Sequence, residues 1–235
     1  MSGIAARRGT DVNLQSAPQM REYDAIVDRL AADAPGRILD WGCGWGQVSH
    51  LMLERGLDVT SFDFRPEADA EGPQPLARFP DVTAHIETED PVRLPYEDAA
   101  FDAVLSCGVL EHVSDPDGSL EEIKRVLRPG GTFYVYKLPN RFSYLEAIAR
   151  RAGLYYHGAD EHDRVYTEES ALGLLRRHGY EIREARRANM LPLTLRGRAA
   201  TRAADAIWKA NRGLARVPGL NVLSTNIEVV AVAPR

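Results

Sequence analysis

Cysteine is scarce in this chain of 235 residues, which contains only Cys43 and Cys107. Two cysteines cannot build the disulfide framework of a small secreted module. Neither their spacing nor a nearby histidine cluster is typical of a zinc site. We therefore expect both thiols to be reduced, as they are in cytoplasmic proteins.

Long apolar runs are also missing. The sequence has no uncharged apolar stretch of about 18 residues, and residues 1–13 lack the uninterrupted apolar core of a secretory signal. Neither a membrane-spanning bundle nor a secreted protein is predicted. A cytoplasmic location is the expectation that follows.

The chain also lacks an excess of positive charge. It has 29 Lys and Arg residues and 34 Asp and Glu residues, which gives a net charge of -5. This balance argues against a general nucleic-acid-binding protein and favours a small molecule as the partner. Apolar residues make up 44% of the chain and charged residues 27%, which is typical of a globular domain and excludes a disordered one. The length predicts one domain with an elaboration.

Strand-like and helix-like segments alternate through the first half of the sequence. Residues 1–17 are predicted to be a flexible tail, followed by an amphipathic helix that begins near Pro18 and ends near Pro35. The segment SLEEIKRVL predicts a helix capped by Asp117 or Ser119 and closed by 129–131. The predicted strands are RILD, VTSFD, VTAHI, FDAVLSC and TFYVYKL. Parallel strands with helical crossovers follow from this order.

The pattern changes after Asn140, where helices become more frequent. Four prolines between residues 65 and 81 already predict a short or irregular helix after the second strand. The later helices are predicted at 141–152, 167–178 and 198–216, and the later strands at 180–187 and 226–233. We expect one α/β domain over 1–235, in which 36–138 bind a cofactor and 140–220 form a helical cap with acceptor-binding elements.

A glycine-rich turn follows the first predicted strand. Asp40 ends that strand, and Gly42, Gly44 and Gly46 occupy alternate positions before a helix. Glycines in such a turn let the backbone approach a ligand closely. The dinucleotide motif Gly-x-Gly-x-x-Gly fails in both registers, and no Gly-Lys-Ser/Thr follows to make a phosphate-binding loop. A tight turn without a ligand is the structural alternative.

Together with four later segments, ILDWGCGWGQ resembles the first motif of class I S-adenosylmethionine-dependent methyltransferases. Those segments are VTSFDF, TEDPVRLPYEDAAFDAV, SCGVLEHV and EEIKRVLRPGGTFYV, and the resemblance covers residues 36–138. They are similar to the small-molecule branch, of methyltransferase type 11 and ubiquinone-biosynthesis enzymes. The resemblance implies a Rossmann-like seven-stranded sheet, mostly parallel with an antiparallel last strand, and helices on both faces.

The same resemblance implies S-adenosylmethionine as cofactor and S-adenosylhomocysteine as product. A carboxylate at the position of Asp63, at the end of the second strand, can also accept two hydrogen bonds from a ribose diol. The resemblance places Asp90 and Val92 beside the adenine, with Arg93 close by. The predicted cofactor-binding residues are Asp40, Gly42, Cys43, Gly44, Gly46, Asp63, Phe64, Asp90, Val92 and Cys107.

An alcohol or phenol acceptor needs a base, and histidine suits proton removal near neutral pH. His112 is the first candidate, and His157 or His162 is the alternative. Each could instead have only a local structural role. In ubiquinone-biosynthesis O-methyltransferases, a Glu-x-x-Glu-His arrangement resembles a divalent metal site, but here Gly108 replaces the first carboxylate. Because a hard cation prefers several oxygen ligands, we predict no metal dependence.

Two predicted helices carry unusual positive charge. Residues 196–217 have a net charge of +5 and residues 141–157 of +2, and both have an apolar stripe. Such helices suit an anionic membrane surface, but packing of both stripes on the domain core or on a second subunit is favoured. The chain is therefore expected to be a monomer or homodimer, with peripheral membrane contact as a hypothesis.

The leading interpretation is a methyltransferase acting on a small molecule, with an oxygen acceptor, amphipathic or lipid-linked, favoured over nitrogen or carbon. N- or C-methylation of a natural product or sugar intermediate stays open. So does a non-catalytic protein that binds S-adenosylmethionine. A nicotinamide-dependent oxidoreductase is disfavoured by the failed dinucleotide spacing.

Overall fold

The computed structural model describes residues 16–33, 35–65, 78–154 and 163–235. The α-helices within these residues are α1 (Ala17–Asp33), α2 (Gln47–Glu54), α3 (Pro116–Val126), α4 (Tyr144–Arg151), α5 (Glu168–Arg177) and α6 (Arg198–Leu214). The strands are β1 (Arg37–Trp41), β2 (Asp58–Phe64), β3 (Ala84–Glu87), β4 (Phe101–Cys107), β5 (Leu127–Pro139), β6 (Glu181–Ala188) and β7 (Asn226–Val232). A short 3-10 helix spans Leu220–Leu223.

The strands form one seven-stranded sheet in the order β3-β2-β1-β4-β5-β7-β6. Pairings among β1 to β5 are parallel, and β7 runs antiparallel to both β5 and β6. The predicted fold class is confirmed. The chain leaves β1 towards β2 and later returns to place β4 on the other side of β1. This reversal of strand order creates a crevice at the carboxyl ends of β1 and β4, where open α/β sheets bind ligands.

Two apolar layers cover the sheet, and each explains why the amphipathic helices fold where they do. One layer joins α1 and α2 to the sheet through Val27, Leu30, Ile38 and Met52. The other joins α3 and α5 to the opposite face through side chains such as Ile123. Side chains from both layers are almost completely buried, so the sheet has a core on each face.

The N-terminal boundary differs from the predicted tail at its last two residues. Residues 1–15 lie outside the described residues, but Ser16 is fully buried and its hydroxyl donates to the carbonyls of Leu193 and Leu195. Ala17 is the first residue of α1. Contacts almost 180 positions away in the sequence fix this boundary, and no local pattern reveals them.

The cap of α3 also differs from the prediction. Asp115 caps this helix by accepting from the backbone N–H of Gly118 at 3.0 Å, and Pro116 occupies the first turn. Neither Asp117 nor Ser119 is the cap. The helix ends at Val126, and residues 127–131 already belong to β5, because pairing with β4 begins at Leu127.

The two basic helices have different surroundings. The apolar side of α6 packs on α1, where the Arg21 guanidinium lies 4.2 Å from the Trp208 ring and forms an ion pair of 2.7 Å with Asp205. By contrast, α4 has no buried residue, and Ile148 is 56% exposed. Packing on the core therefore accounts for the stripe of α6 and not for that of α4. Within the described ranges, no helix is long and apolar enough to cross a membrane.

Candidate active site at the carboxyl ends of the strands

The glycine turn lies between β1 and α2, and all three glycines have a left-handed backbone. Their φ angles are +77° at Gly42, +54° at Gly44 and +83° at Gly46. A Cβ at Gly42 would lie 2.5 Å from a methyl group of Val109, whereas a Cβ at Gly44 would have no atom within 4 Å. Gly42 is therefore needed for packing. Gly44 borders open space, which leaves its backbone accessible to a ligand.

Asp40 lies beneath this turn and is only 2% exposed. Its carboxylate accepts from the hydroxyl of Ser49 at 2.5 Å, and that hydroxyl accepts from Ser61 at 2.8 Å. Burial raises the pKa of Asp40 to about 6 despite the Ser49 bond, and the nearby charge of Asp63 adds to the rise. A buried carboxylate with this pKa would be stabilised by a cationic group of a ligand.

Asp63 is the second-last residue of β2, and its partner is a residue that the sequence analysis missed. The Arg65 guanidinium lies 3.2 Å from the Asp63 carboxylate, and the backbone N–H groups of Gly44 and Phe64 also donate to that carboxylate. Burial raises the pKa of Asp63, and Arg65 opposes the rise. The signal was present in the sequence, because residues two apart on a strand share a face.

The predicted cysteines lie on opposite sides of Asp40. Cys43 is buried in the glycine turn near Asp40 and Asp63, and Cys107 is half-buried at the end of β4. Burial raises the pKa of both thiols well above their usual value, so neither is a ready nucleophile. Phe64 is half-buried at the end of β2, opposite Glu87 of β3.

Asp90 lies in an exposed turn after β3, and the structure gives it a local role. One carboxylate oxygen accepts from the backbone N–H groups of Val92 at 2.9 Å and Arg93 at 3.0 Å, which lowers the pKa of Asp90. This is an Asx-type turn. The structure brings Asp40, Asp63, Cys43 and the glycines together, whereas the adenine contacts of Asp90 and Val92 stay a prediction.

His112 follows β4 and is paired with Asp163, which lies 51 positions later. The Nδ1 atom of His112 lies 2.7 Å from Oδ1 of Asp163, whose side chain is nearly buried while the imidazole is 44% exposed. Arg164 secures this segment, because its backbone N–H donates to the Glu111 carbonyl and its guanidinium to the carbonyls of Val113 and Ser114. The alternative bases, His157 and His162, lie outside the described residues.

Two further polar groups border the strand ends. Lys137, near the end of β5, has a φ of +62°, and its ammonium lies 4.9 Å from the Tyr23 ring. The Tyr96 hydroxyl is buried near Cys43 and has no hydrogen-bond partner among the described residues. Burial raises the pKa of Tyr96 to about 12, so its proton is available for donation. Neither residue was predicted, because only the fold brings them here.

No group of three or more His, Cys, Asp or Glu side chains that could hold a metal ion occurs within the part of the chain that the structure describes. Glu111, beside His112, is buried, and its carboxylate lies 3.9 Å from the imidazole. Independence from metal stays a prediction.

Comparison with known proteins connects this geometry to a family. Residues 39–135 match the family model described as a methyltransferase domain. The chain is 39% identical over 111 residues to a demethylmenaquinone methyltransferase of Beutenbergia cavernae, covering 47% of this chain and 44% of that protein. It is 34% identical over 113 residues to a malonyl-[acyl-carrier protein] O-methyltransferase of Enterobacter lignolyticus, covering 48% and 43%. The chain thus spans less than half the length of these two curated relatives.

A solved structure extends the likeness to nearly the whole chain. It is the Burkholderia thailandensis 1,6-didemethyltoxoflavin-N1-methyltransferase, with bound 1,6-didemethyltoxoflavin and S-adenosylhomocysteine. The TM-score is 0.57 at 21% sequence identity, and the match covers 94% of this chain and 80% of that one. At this identity the likeness shows a shared fold.

Proposed function

We propose that the protein transfers a methyl group from S-adenosylmethionine to a hydroxyl or phenol oxygen of a small molecule. The match of residues 39–135 to a methyltransferase domain supports this proposal. The observation that carries the proposal is the arrangement of a buried carboxylate, Asp40, and a half-buried one, Asp63, around an open glycine turn, with an Asp-paired histidine following β4. The carboxylates would hold a cationic ligand, and the histidine would accept a proton.

The residues present fit the cofactor. Asp40 would stabilise its ammonium group, the open backbone at Gly44 would contact its amino-acid end, and Asp63 would accept from its ribose hydroxyls. The ion pair with Arg65 and the backbone N–H groups of Gly44 and Phe64 hold the Asp63 carboxylate in place. When bound, the cofactor supplies an electrophilic methyl group on a sulfonium.

His112 would act on the acceptor. An Asp163 carboxylate that accepts from Nδ1–H selects the tautomer whose lone pair is on Nε2. The acceptor hydroxyl gives its proton to Nε2 while its oxygen bonds to the methyl carbon and the carbon–sulfur bond breaks. Alignment of these atoms, together with proton removal, accounts for the acceleration that the chain itself provides.

The acceptor is proposed to be amphipathic or lipid-linked. This finer proposal rests on the segment that follows β5. Phe142, just before α4, is 52% exposed, and α4 itself exposes Ile148 (56%) together with Arg150 and Arg151. An apolar stripe with adjacent cations suits a molecule with an apolar tail and an anionic group, and equally an anionic membrane.

Flotation with acidic and neutral liposomes at low salt tests whether this exposed stripe contacts an anionic membrane. Phe142→Ser/Ile148→Ser should weaken flotation, and Ala147→Ser, an exposed change on the same helix, should not. Failure of the wild-type protein to float at low salt would reject membrane contact while leaving methyl transfer intact.

The direct test of the function is formation of S-adenosylhomocysteine with a panel of phenols, hydroxylated lipids and sugars. An acceptor that supports turnover in the wild type and not in His112→Ala supports an oxygen methyltransferase with His112 as the base. If turnover occurs only with amines, the acceptor atom is wrong. If the protein binds S-adenosylhomocysteine and no tested acceptor is methylated, the non-catalytic binding protein becomes the better account.

A further inference from the structure

A cavity of about 240 Å³ lies between α1, α6 and the β6–β7 edge of the sheet. It is separate from the glycine turn, and none of the predicted cofactor-binding residues lines it. Arg186 of β6 and Arg212 and Arg216, the latter just beyond the end of α6, line this cavity together with Glu228 and Trp208. A volume of this size can hold a small metabolite.

Positive charge in the cavity is only partly balanced. Arg186 is paired with Glu228, with 2.6 Å between Nε and Oε2. Arg212 is half-buried with its guanidinium 5.1 Å from the Trp208 ring, and Arg216 is exposed. Among the described residues, no carboxylate lies within ion-pair distance of either, although Glu22 and Glu228 are near Arg212. Burial and the neighbouring guanidiniums of Arg186 and Arg216 lower the pKa of Arg212. An anion between these arginines would relieve that repulsion.

Two buried polar atoms of cavity-lining residues have no hydrogen-bond partner within the described ranges. One is the Oε1 atom of Glu228, a side chain that is only 3% exposed, and the other is the indole Nε1 of Trp208. Buried polar atoms are almost always hydrogen-bonded, so an orphaned pair in one cavity calls for a partner. Glu228 Oε1 can accept from a hydroxyl, whereas Trp208 Nε1 can donate only to an acceptor such as a carboxylate.

We infer that this cavity binds a small hydroxylated organic acid, whose carboxylate is held by Arg212, Arg216 and Trp208 and whose hydroxyl donates to Glu228. The two halves of the ligand follow from two independent observations, the unbalanced guanidiniums and the orphaned carboxylate oxygen. The site goes beyond methyl transfer and does not depend on it.

The cavity also has a physical link to the strand ends. Glu22 lines it and accepts from the side chain of Asn189 at 3.2 Å. The ammonium of Lys137 lies close enough to Glu22 to interact with its charge. A ligand in the cavity would therefore contact α1, which carries Glu22 and also Tyr23, whose ring lies 4.9 Å from the Lys137 ammonium.

The test is a thermal shift with five probes that separate the carboxylate and the hydroxyl of the ligand. They are 4-hydroxyphenylacetate, its uncharged amide, phenylacetate without the hydroxyl, and inorganic phosphate, with lactate as a shorter hydroxy acid. At about 100 times the dissociation constant, a hydroxy acid should raise the unfolding midpoint of the wild type by roughly 5 °C or more. The amide should give no shift, and phenylacetate and phosphate should give smaller ones.

Matched variants locate the effect. Arg212→Gln should abolish the shift, whereas Arg202→Gln, an exposed arginine of the same helix, should keep it. Stabilisation by S-adenosylhomocysteine, measured on each variant, shows that the variant is folded and reports the cofactor site separately. Should Arg212→Gln not fold, Arg216→Gln takes its place.

The inference is overturned if neither hydroxy acid shifts the wild type at 10 mM. It is also overturned if the shift survives in the arginine variants, or if phosphate and the amide act as strongly as 4-hydroxyphenylacetate. None of these results bears on the methyltransferase proposal, which is tested by S-adenosylhomocysteine.

Discussion

Two parts of the chain differ in how their polar side chains are bonded. The first half, residues 36–138, carries the predicted cofactor-binding residues, and the second half, residues 140–220, is predicted to be a cap with acceptor-binding elements. Asp40 is bonded to Ser49 and Asp63 to Arg65, all within ten positions. In contrast, the hydroxyl of Tyr144 donates to the carbonyl of Met190, and Asn140 to Ser224, 84 positions away. His112 belongs to the first half and depends on Asp163 of the second.

Under the proposed function, the cofactor is held by side chains bonded within the first half, whereas the proposed base His112 depends on a partner from the second half. Changes in the first half should therefore act on cofactor binding. Changes at the junction between the halves should act on turnover and leave cofactor binding intact.

The largest effect is expected at the junction. His112→Ala should lower kcat by roughly 10²- to 10⁴-fold, because it removes the base, while the affinity for S-adenosylhomocysteine stays within about twofold. Asp163→Asn should lower kcat less, because it changes only the tautomer and orientation of the ring. Steady-state kinetics and calorimetry on the same preparations measure both quantities.

A matched histidine supplies the control for this variant. His178 is also held by carboxylates, with 2.6 Å to Glu121 and 2.7 Å to Asp117, but it lies on the α3–α5 side of the sheet. His178→Gln should leave kcat unchanged. Equal losses of kcat in the His112 and His178 variants would contradict a chemical role for His112.

The next prediction compares the effects of two aspartates of β2 on cofactor binding. Asp63→Ala should weaken S-adenosylhomocysteine binding by about 100-fold, since it removes hydrogen bonds to a charged group worth about 1.5–3 kcal/mol each. Asp58→Ala, at the exposed start of the same strand, should bind normally. Calorimetric titration measures both, and equal affinities would remove Asp63 from the site.

The glycine turn allows packing and binding to be separated. Gly42→Ala places a methyl group against Val109, so it should cost about 1–3 kcal/mol more unfolding free energy than Gly44→Ala, which meets no atom. Gly44→Ala should instead impair cofactor binding. Gly56→Ala, at φ +70° in an open turn, controls for backbone strain alone. Urea unfolding gives the stabilities, and identical values for Gly42→Ala and Gly44→Ala would contradict the packing role.

The last prediction concerns the pH dependence of the unfolding free energy that Asp40 causes. Its folded pKa of about 6 lies above the unfolded value near 3.9, so its stabilising contribution is complete below pH 4 and is lost as pH rises through 6. Relative to Asp40→Asn, the wild type should lose up to about 3 kcal/mol of unfolding free energy between pH 4 and 7. A constant difference across that range would show that Asp40 is not held in a raised-pKa state.

The contrast between the halves also explains which features could be predicted from the sequence and which could not. The mostly parallel seven-stranded sheet with its antiparallel last strand, and the cluster of Asp40, Asp63 and the glycines, could be predicted, because local spacing and a family resemblance specify them. Arg65 was within reach of strand periodicity. Asp163, Lys137 and the cavity beside Trp208 were not, because each depends on segments that meet only in the folded chain. The sequence predicts His112 as the base, which stays a prediction, and only the structure shows its contact with Asp163.

The central claim is that the carboxyl ends of β1, β2 and β4 bind S-adenosylmethionine. Isothermal titration calorimetry of the purified chain with S-adenosylhomocysteine, and with NADH as the comparison ligand, tests it most directly. We expect saturable heat at one site per chain with S-adenosylhomocysteine and no heat with NADH. Absence of heat with S-adenosylhomocysteine on a folded sample would contradict it.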